Sequence, residues 1–359
     1  MPSRVQQRYL LASAVAGVAA AIRIIRRRNM HVPPQPLPSD FPVTPKDVVD
    51  AAKRVKPHVH RTPVLTCQGL DELAGRSLKF KCEVFQRTGS FKIRGATNAA
   101  LQAPPNAPLV THSSGNHAQA LALAARSTNR EAHVVMPRTA PAVKRQAVAG
   151  YGAHITLCDP TNAARADAAA KKTEEVQGYF VHPSNEPRVI SGQGSVAVEF
   201  LEQCSSLDAL VVPVGGGGLI GGIAVYAKWK RPSLKIIGAE PKNVDDAYRS
   251  KQKGELVGHD DRDSVADGLK TLLGSNTWPI VRDLVDDIIT VDEGEIKKAT
   301  ALVWGRMKLC IEPSAGVGVA CVLSEAFRAK YPAERYATVG VILCGGNLDL
   351  AKASQKLFA

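Results

Sequence analysis

Val211-Val212-Pro213-Val214-Gly215-Gly216-Gly217-Gly218-Leu219-Ile220-Gly221-Gly222 is the stretch whose reading decides the fold. It opens on a short apolar run, which predicts a buried strand. Four consecutive glycines follow, and then a helix. Consecutive glycines let backbone N–H groups curl round a phosphate, and the helix dipole favours the same charge. The stretch lacks the Lys-Ser/Thr of a P-loop. About 20 residues on, where a dinucleotide fold carries an acidic residue, stand Lys235 and Ile236. Two readings stay open on these residues alone: a generic phosphate cup or a plain tight turn.

The alternation repeats on either side. Leu78–Glu83 alternates like a strand, and short apolar runs recur at Leu109-Val110, Ala132–Met136, His154–Leu157, Lys235–Ala239 and Thr338–Leu343. Helical stretches separate these runs, so the chain predicts an α/β fold with a mostly parallel sheet. Thr44-Pro45-Lys46-Asp47 opens an amphipathic helix, with Thr44 as its N-cap.

Three further motifs carry chemistry. Gln86-Arg87-Thr88-Gly89-Ser90-Phe91-Lys92-Ile93-Arg94-Gly95 places Lys92 between apolar neighbours at a helix start. Both settings disfavour the ammonium form, and a lysine of depressed pKa can form a Schiff base. The bland alternative is a surface lysine. Thr111-His112-Ser113-Ser114-Gly115-Asn116-His117 turns from a strand into an Ala/Leu-rich helix. Its free N–H groups suit a carboxylate or phosphate; a simple Ser/Asn cap is the alternative. Leu343-Cys344-Gly345-Gly346-Asn347 follows another strand, and its glycines permit close approach to a planar ligand.

Composition narrows the rest. The 359 residues are 45% apolar and 5% aromatic, which is globular and excludes a disordered or collagenous chain. The 7 cysteines show no C-x-x-C spacing, against a disulfide framework and against zinc. Of the net charge of +13, six arginines fall in an acid-free stretch before Asp40. The remaining basic residues are scattered and aromatics are few, so no nucleic-acid partner is expected. Tyr9–Ile22 is an uncharged run, and with Arg23 snorkelling Tyr9–Ile25 borders on a membrane span. The start resembles a mitochondrial presequence; a signal-anchor with a cytosolic catalytic domain, or an ordinary helix of a cytoplasmic protein, are the alternatives. Membrane contact is expected only through residues 9–25.

In their order and spacing the four motifs resemble the pyridoxal-phosphate enzymes of fold type II, the tryptophan-synthase β type. Within them the chain is most similar to the eukaryotic serine racemase and serine/threonine dehydratase family. Asp267-Gly268, Asn276-Thr277-Trp278-Pro279 and Ile311–Val319 support the likeness, which runs from about Val43 to the C-terminus. The resemblance implies two open, twisted, mostly parallel sheets flanked by helices. It divides the chain into a leader (1–40), a large cofactor-binding domain (41–107 and 186–359) and a small mobile domain (108–185). It implies a homodimer acting on an amino acid: racemisation of L-serine to D-serine, with β-elimination of serine and threonine to 2-oxo acid and ammonia. A dehydratase without racemase activity and an aspartate racemase are the alternatives.

Roles follow by resemblance. Lys92 would hold pyridoxal 5'-phosphate and act as base on one face of the substrate Cα, with Ser114 as acid/base on the other. Gly215, Gly216, Gly217 and Gly218 would cup the phosphate. Phe91 would pack on the ring, and Asn116 would bond its 3'-oxygen. Gly268, Glu312 and Cys344 would line its polar edge. Ser113, Ser114, Asn116 and His117 would grip the substrate carboxylate, and Ser184 would border its side chain. Glu240, Asp246 and the Val244 carbonyl would bind Mg²⁺ or Ca²⁺. Cys344 stands where many relatives have Ser. Thr88, Gln119 and Tyr151 match positions associated with an ATP activator, whereas Cys67-Gln68-Gly69 replaces an expected Ser-Ser pair; ATP stays open.

Overall fold

The computed structural model describes residues 37–38, 40–258, 263–350 and 353. The Arg-rich leader and the 9–25 segment lie outside the described residues. Among those described, no helix is long and apolar enough to cross a membrane.

The strands are β1 (Val64–Leu65), β2 (Ser77–Cys82), β3 (Leu109–His112), β4 (Ala132–Pro137), β5 (His154–Cys158), β6 (Tyr179–Phe180), β7 (Ala209–Pro213), β8 (Lys235–Pro241), β9 (Asp287–Val291) and β10 (Thr338–Leu343). They form a six-stranded sheet, β1-β2-β10-β7-β8-β9, and a four-stranded sheet, β5-β4-β3-β6. Within these sheets every neighbouring pair but β1–β2 is parallel. Parallel strands covered on both faces read as unbroken apolar runs, and all of β7 is buried. The strands of the smaller sheet all fall between residues 109 and 180.

Local chemistry sets the helix entries. The helix Pro45–Val55 starts on a reciprocal cap: Asp47 N–H donates to Thr44 Oγ1 (3.2 Å), and Thr44 N–H donates to the Asp47 carboxylate (2.9 Å). Such a cap contributes about 1 kcal/mol. Val48, Ala51 and Val55 then face the core at helical spacing.

Glycines bring the motifs together. A Cβ on Gly192 would lie 2.6 Å from the Cα of Gly95, and one on Gly222 would lie 2.2 Å from the Ile190 carbonyl. The helix Pro187–Gln203 therefore touches, backbone to backbone, both the helix Lys92–Ala100 and the helix Gly218–Lys230. Any side chain at these positions would push the Lys92 motif away from the glycine motif.

A buried ion network anchors the same region. Arg94 donates to both oxygens of Glu83 (2.8 Å each) and to Glu199 (2.8 and 2.9 Å). Lys81 Nζ donates to Glu199 (2.7 Å) and to the Thr62 carbonyl (2.8 Å). Burial alone would raise the Glu83 carboxyl, but the adjacent Arg94 holds it below the usual carboxylate range. Arg94 follows Lys92 by two residues, so the network fixes the helix that carries Lys92.

Candidate active site

Lys92 opens its helix at the end of a segment stitched to the loop after β10. Phe91 N–H donates to the Cys344 carbonyl (3.1 Å), and Gly346 N–H donates to the Gly89 carbonyl (3.0 Å). Ser90 and Gly345 pair as an antiparallel bridge. Gly89 has φ of +70°, and a Cβ there would sit 2.7 Å from Asn347 Oδ1, so the turn requires glycine. Lys92 is half-buried; its amine donates to the Pro183 carbonyl at 2.8 Å and lies 5.2 Å from the Phe91 ring centroid. Burial pushes its pKa down to about 8, with Cys344 and Glu312 acting the other way. At pH 7 roughly one molecule in ten then carries a neutral, nucleophilic amine, against a vanishing fraction for an ordinary lysine.

The glycine loop joins β7 to its helix. Gly217 takes a left-handed conformation (φ 78°) as N-cap. Among the described residues, none accepts a hydrogen bond from the N–H groups of Gly215, Gly216, Gly217 or Gly218. Four such donors at a helix start make an anion site. Ser184 Oγ is buried without a hydrogen-bond partner, and a Cβ on Gly216 would lie 2.3 Å from it. The hydroxyl expected beside the substrate side chain thus stands against the phosphate cup.

Asn116 ties the remaining pieces. Its amide nitrogen donates to Glu312 Oε1 (2.9 Å) and Oε2 (3.2 Å), and its oxygen accepts from Asn347 Nδ2 (2.8 Å). Asn347 also donates to the Thr88 carbonyl (2.6 Å). Glu312 N–H donates to the Gly345 carbonyl (3.1 Å). Burial raises the Glu312 carboxyl to about 7, helped by Asp267 and opposed by Asn116. Gly268 lies on the same side: its N–H donates to Ser314 Oγ (3.1 Å), and a Cβ there would be 3.9 Å from Glu312 Oε1. Burial and Glu312 hold the Cys344 thiol protonated. It is therefore a neutral group and a weak hydrogen-bond partner.

Ser113 and Ser114 are half-buried in the loop after β3. Ser113 Oγ accepts from Gly115 N–H (3.3 Å), and Gly115 caps the helix Asn116–Ser127 without a side-chain hydrogen bond. The first turn of that helix is thus left open to a carboxylate. The His117 ring is buried, and its Nε2 lies 3.4 Å from the Val181 carbonyl. Burial and Lys92 hold it neutral, so it supplies no positive charge; its contribution to anion binding is its backbone N–H.

Glu240, near the end of β8, and Asp246, at the start of the helix Asp246–Lys253, are both buried. Glu240 accepts from Ala247 and Tyr248 N–H (3.0 and 2.8 Å), and Asp246 accepts from Leu273 N–H (2.9 Å). Burial and the neighbouring Asp246 push Glu240 well above its ordinary value. Among the described residues no group of three His, Cys, Asp or Glu could hold a metal. A cation here would need the Val244 carbonyl and water beside the two carboxylates.

Sequence reasoning places Asn347 in a motif, and His182 and Pro183 in a loop expected to border the substrate side chain, but assigns none of the three a role of its own. Asn347 lies within the Leu343–Asn347 motif, but neither its partners nor a main-chain oxygen 91 residues from Lys92 carries a local signature.

An amine of lowered pKa, an anion cup of glycines and an acid-amide edge define the kind of enzyme. A family model described as "Pyridoxal-phosphate dependent enzyme" matches residues 55–345, and the chain belongs to that family. Within it, the chain is 52% identical to serine racemase from Homo sapiens, over 86% of this chain and 92% of that one. The structure of maize serine racemase superposes with a TM-score of 0.85 at 41% identity, covering 89% of this chain and 98% of that one. A pyridoxal 5'-phosphate-dependent aspartate racemase gives a TM-score of 0.84 at 38% identity, covering 89% and 100%.

Proposed function

We propose that the protein interconverts L- and D-serine and eliminates water from serine and threonine, using pyridoxal 5'-phosphate. The observation that carries this is the Lys92 amine, bonded to the Pro183 carbonyl between the open glycine cup and the Asn116–Glu312 edge. The cradle fits the cofactor: unpaired N–H donors suit the phosphate, and the buried Ser184 hydroxyl adds a donor beside them. When bound, the cofactor supplies the electron sink for charge developing at the amino-acid Cα.

The chain's own residues do the rest. Lys92 Nζ, in the neutral form that its lowered pKa makes accessible, takes the Cα proton from one face. Ser114 Oγ handles the proton on the other. Racemisation needs both faces, and one group cannot easily serve two. The open helix start at Asn116 holds the substrate carboxylate and keeps the Cα between them. A β-hydroxyl can leave as water after the same proton removal, and hydrolysis then gives 2-oxo acid and ammonia.

The cation reading extends this. Glu240, Asp246 and the Val244 carbonyl offer hard oxygens of the kind Mg²⁺ and Ca²⁺ take. Leu273, which donates to Asp246, also packs within 2.8 Å of a Cβ placed on Gly217, so a cation there would steady the glycine cup. The working unit would be a homodimer of a large domain (41–107 and 186–359) and a small one (108–185). ATP would act as an activator near Thr88, Gln119 and Tyr151, and the leader would direct the protein to mitochondria.

The test is turnover of an amino-acid panel by the cofactor-loaded protein, followed by chiral chromatography and keto-acid detection. D-serine and pyruvate from L-serine are expected. Pyruvate without D-serine would leave a dehydratase, and D-aspartate without D-serine would favour the aspartate racemase reading that the 38% identical structure suggests.

A further inference from the structure

Pro183 is the Lys92 amine's hydrogen-bond partner, so what holds that carbonyl in place matters to the reaction. The ring before it does so. His182 Nδ1 lies 3.2 Å from Ser184 N and 2.9 Å from Asn185 N. Two N–H donors on one ring nitrogen make Nδ1 the acceptor and put the ring proton on Nε2. The ring is held on its other sides by edge contacts to His112 (centroids 5.6 Å apart) and Phe180 (6.3 Å).

We propose that His182 is a positioning residue: its neutral imidazole closes the 182–185 turn, which presents the Pro183 carbonyl to Lys92 and seats Ser184 against the glycine cup. The proposal rests on Lys92 being the reactive amine. Its chemistry is simple. An amine donating one N–H to a fixed carbonyl keeps its lone pair pointing elsewhere, in a set direction. The same turn sets the Ser184 hydroxyl beside Gly216, so one acceptor nitrogen governs both ends of the cradle.

The setting keeps the acceptor available. Lys92 from its helix and His112 from β3 face the ring, with His117 in the same cluster. Burial first, then His112 and Lys92, lower the His182 pKa to about 4. Protonation would turn Nδ1 into a donor facing two donors, so neutrality is what the turn requires.

The experiment compares His182→Leu with His182→Asn in the cofactor-loaded enzyme. Leucine removes the acceptor and keeps bulk; asparagine restores an oxygen acceptor for the same N–H groups. For His182→Leu, kcat should fall by roughly 10²-fold with a much smaller change in KM, as for a reacting group displaced by about 1 Å. The visible band of the lysine-bound cofactor should shift in its pH titration. His182→Asn should recover most of the loss in both readouts. Wild-type kcat and titration in a folded His182→Leu would overturn the proposal. So would a folded His182→Asn with the full loss, which remains decisive if the leucine variant does not fold. Lys92→Ala is measured alongside: if it stays active, the Lys92 reading fails, whereas a failure confined to the His182 pair removes this proposal alone.

Discussion

The two sheets hold the two faces of the site in different ways. The Lys92 helix is anchored to the six-stranded side, where Arg94, Glu83 and Lys81 are fully buried, Arg94 pairs with Glu83, Glu199 joins Arg94 to Lys81, and glycines let three helices touch. Ser114 belongs to the four-stranded side, in a half-buried loop whose helix start has no side-chain cap. The sides meet through Asn116 to Glu312 and Asn347, Lys92 to the Pro183 carbonyl, Asn185 to Ser275 and Asn276, Lys144 to Asp267, Ser184 against Gly216, and an apolar cluster of Ile93 and Ala96 with Leu109 and Leu121. The comparison teaches that Lys92, the proposed base, sits in a frame of buried ion pairs, whereas Ser114, the proposed opposing acid, sits in a half-buried loop at the start of a helix packed on the Lys92 helix. Chemistry should therefore fail through the first side and selectivity through the second.

Removing the amine should have the largest effect. Lys92→Ala should abolish racemisation and elimination together, and chiral and keto-acid assays of the purified variant check this. Apo protein offers a companion measurement. A lysine with its pKa lowered to about 8 is protonated below that value and neutral above it. Cofactor capture, followed by visible absorbance, should therefore speed up as pH rises through about 8. A rate that climbs only above pH 10 would mean the pKa of the amine is not lowered as described.

Breaking the frame comes next. Arg94→Met leaves Glu83 buried beside no guanidinium, and unpairing a buried ion pair costs about 3–5 kcal/mol. Chemical denaturation should show that loss, with activity falling because the Lys92 helix loosens. A variant of unchanged stability would break the contrast between the two sides.

Ser114→Ala tests the other face. It should lower racemisation of L-serine by about 10²-fold, the scale of a lost acid/base group, and spare elimination. Product ratios by chiral chromatography give the answer directly. Equal loss of both reactions would mean that the two faces do not work separately.

Much of this contrast is legible in the amino-acid sequence. Thr338–Leu343 reads as β10 residue for residue, and the other apolar runs fall on strands with ends shifted by one or two positions. Their signal is local, because doubly covered strands must be continuously apolar. The two-residue strands β1 and β6 are too short for a period to register. β9, Asp287–Val291, carries an acidic residue at its start and no glycine turn after it. In the site, Lys92 and the glycine loop stand out because their chemistry is written in consecutive residues. Asn347, Pro183 and His182 do not, since their roles depend on partners 91 to 259 residues away or on the turn that a ring nitrogen closes. Ser184 shows the limit from the other direction: its loop is visible in the sequence, but only packing reveals that its hydroxyl faces Gly216.

The smallest expected effect concerns the tie farthest from the chemistry. Lys144, on the helix Ala142–Gly150, pairs with Asp267 beside Gly268 and so joins the four-stranded side to the Glu312 edge. The Lys144 side chain is 25% exposed and that of Asp267 is 50% exposed. Solvent screens such a pair, and it should contribute no more than about 1 kcal/mol. Lys144→Met should therefore barely move thermal unfolding. If the pair holds the Ser114 side against the Lys92 side, however, the variant should change the ratio of racemisation to elimination by a few fold. Added salt should reproduce the change in the wild type, since it weakens the same contact. A ratio insensitive to both would show that this pair does not couple the two faces, and would leave their coupling to the bonds of Asn116 with Glu312 and Asn347, the Lys92–Pro183 bond and the packing of Ser184 on Gly216.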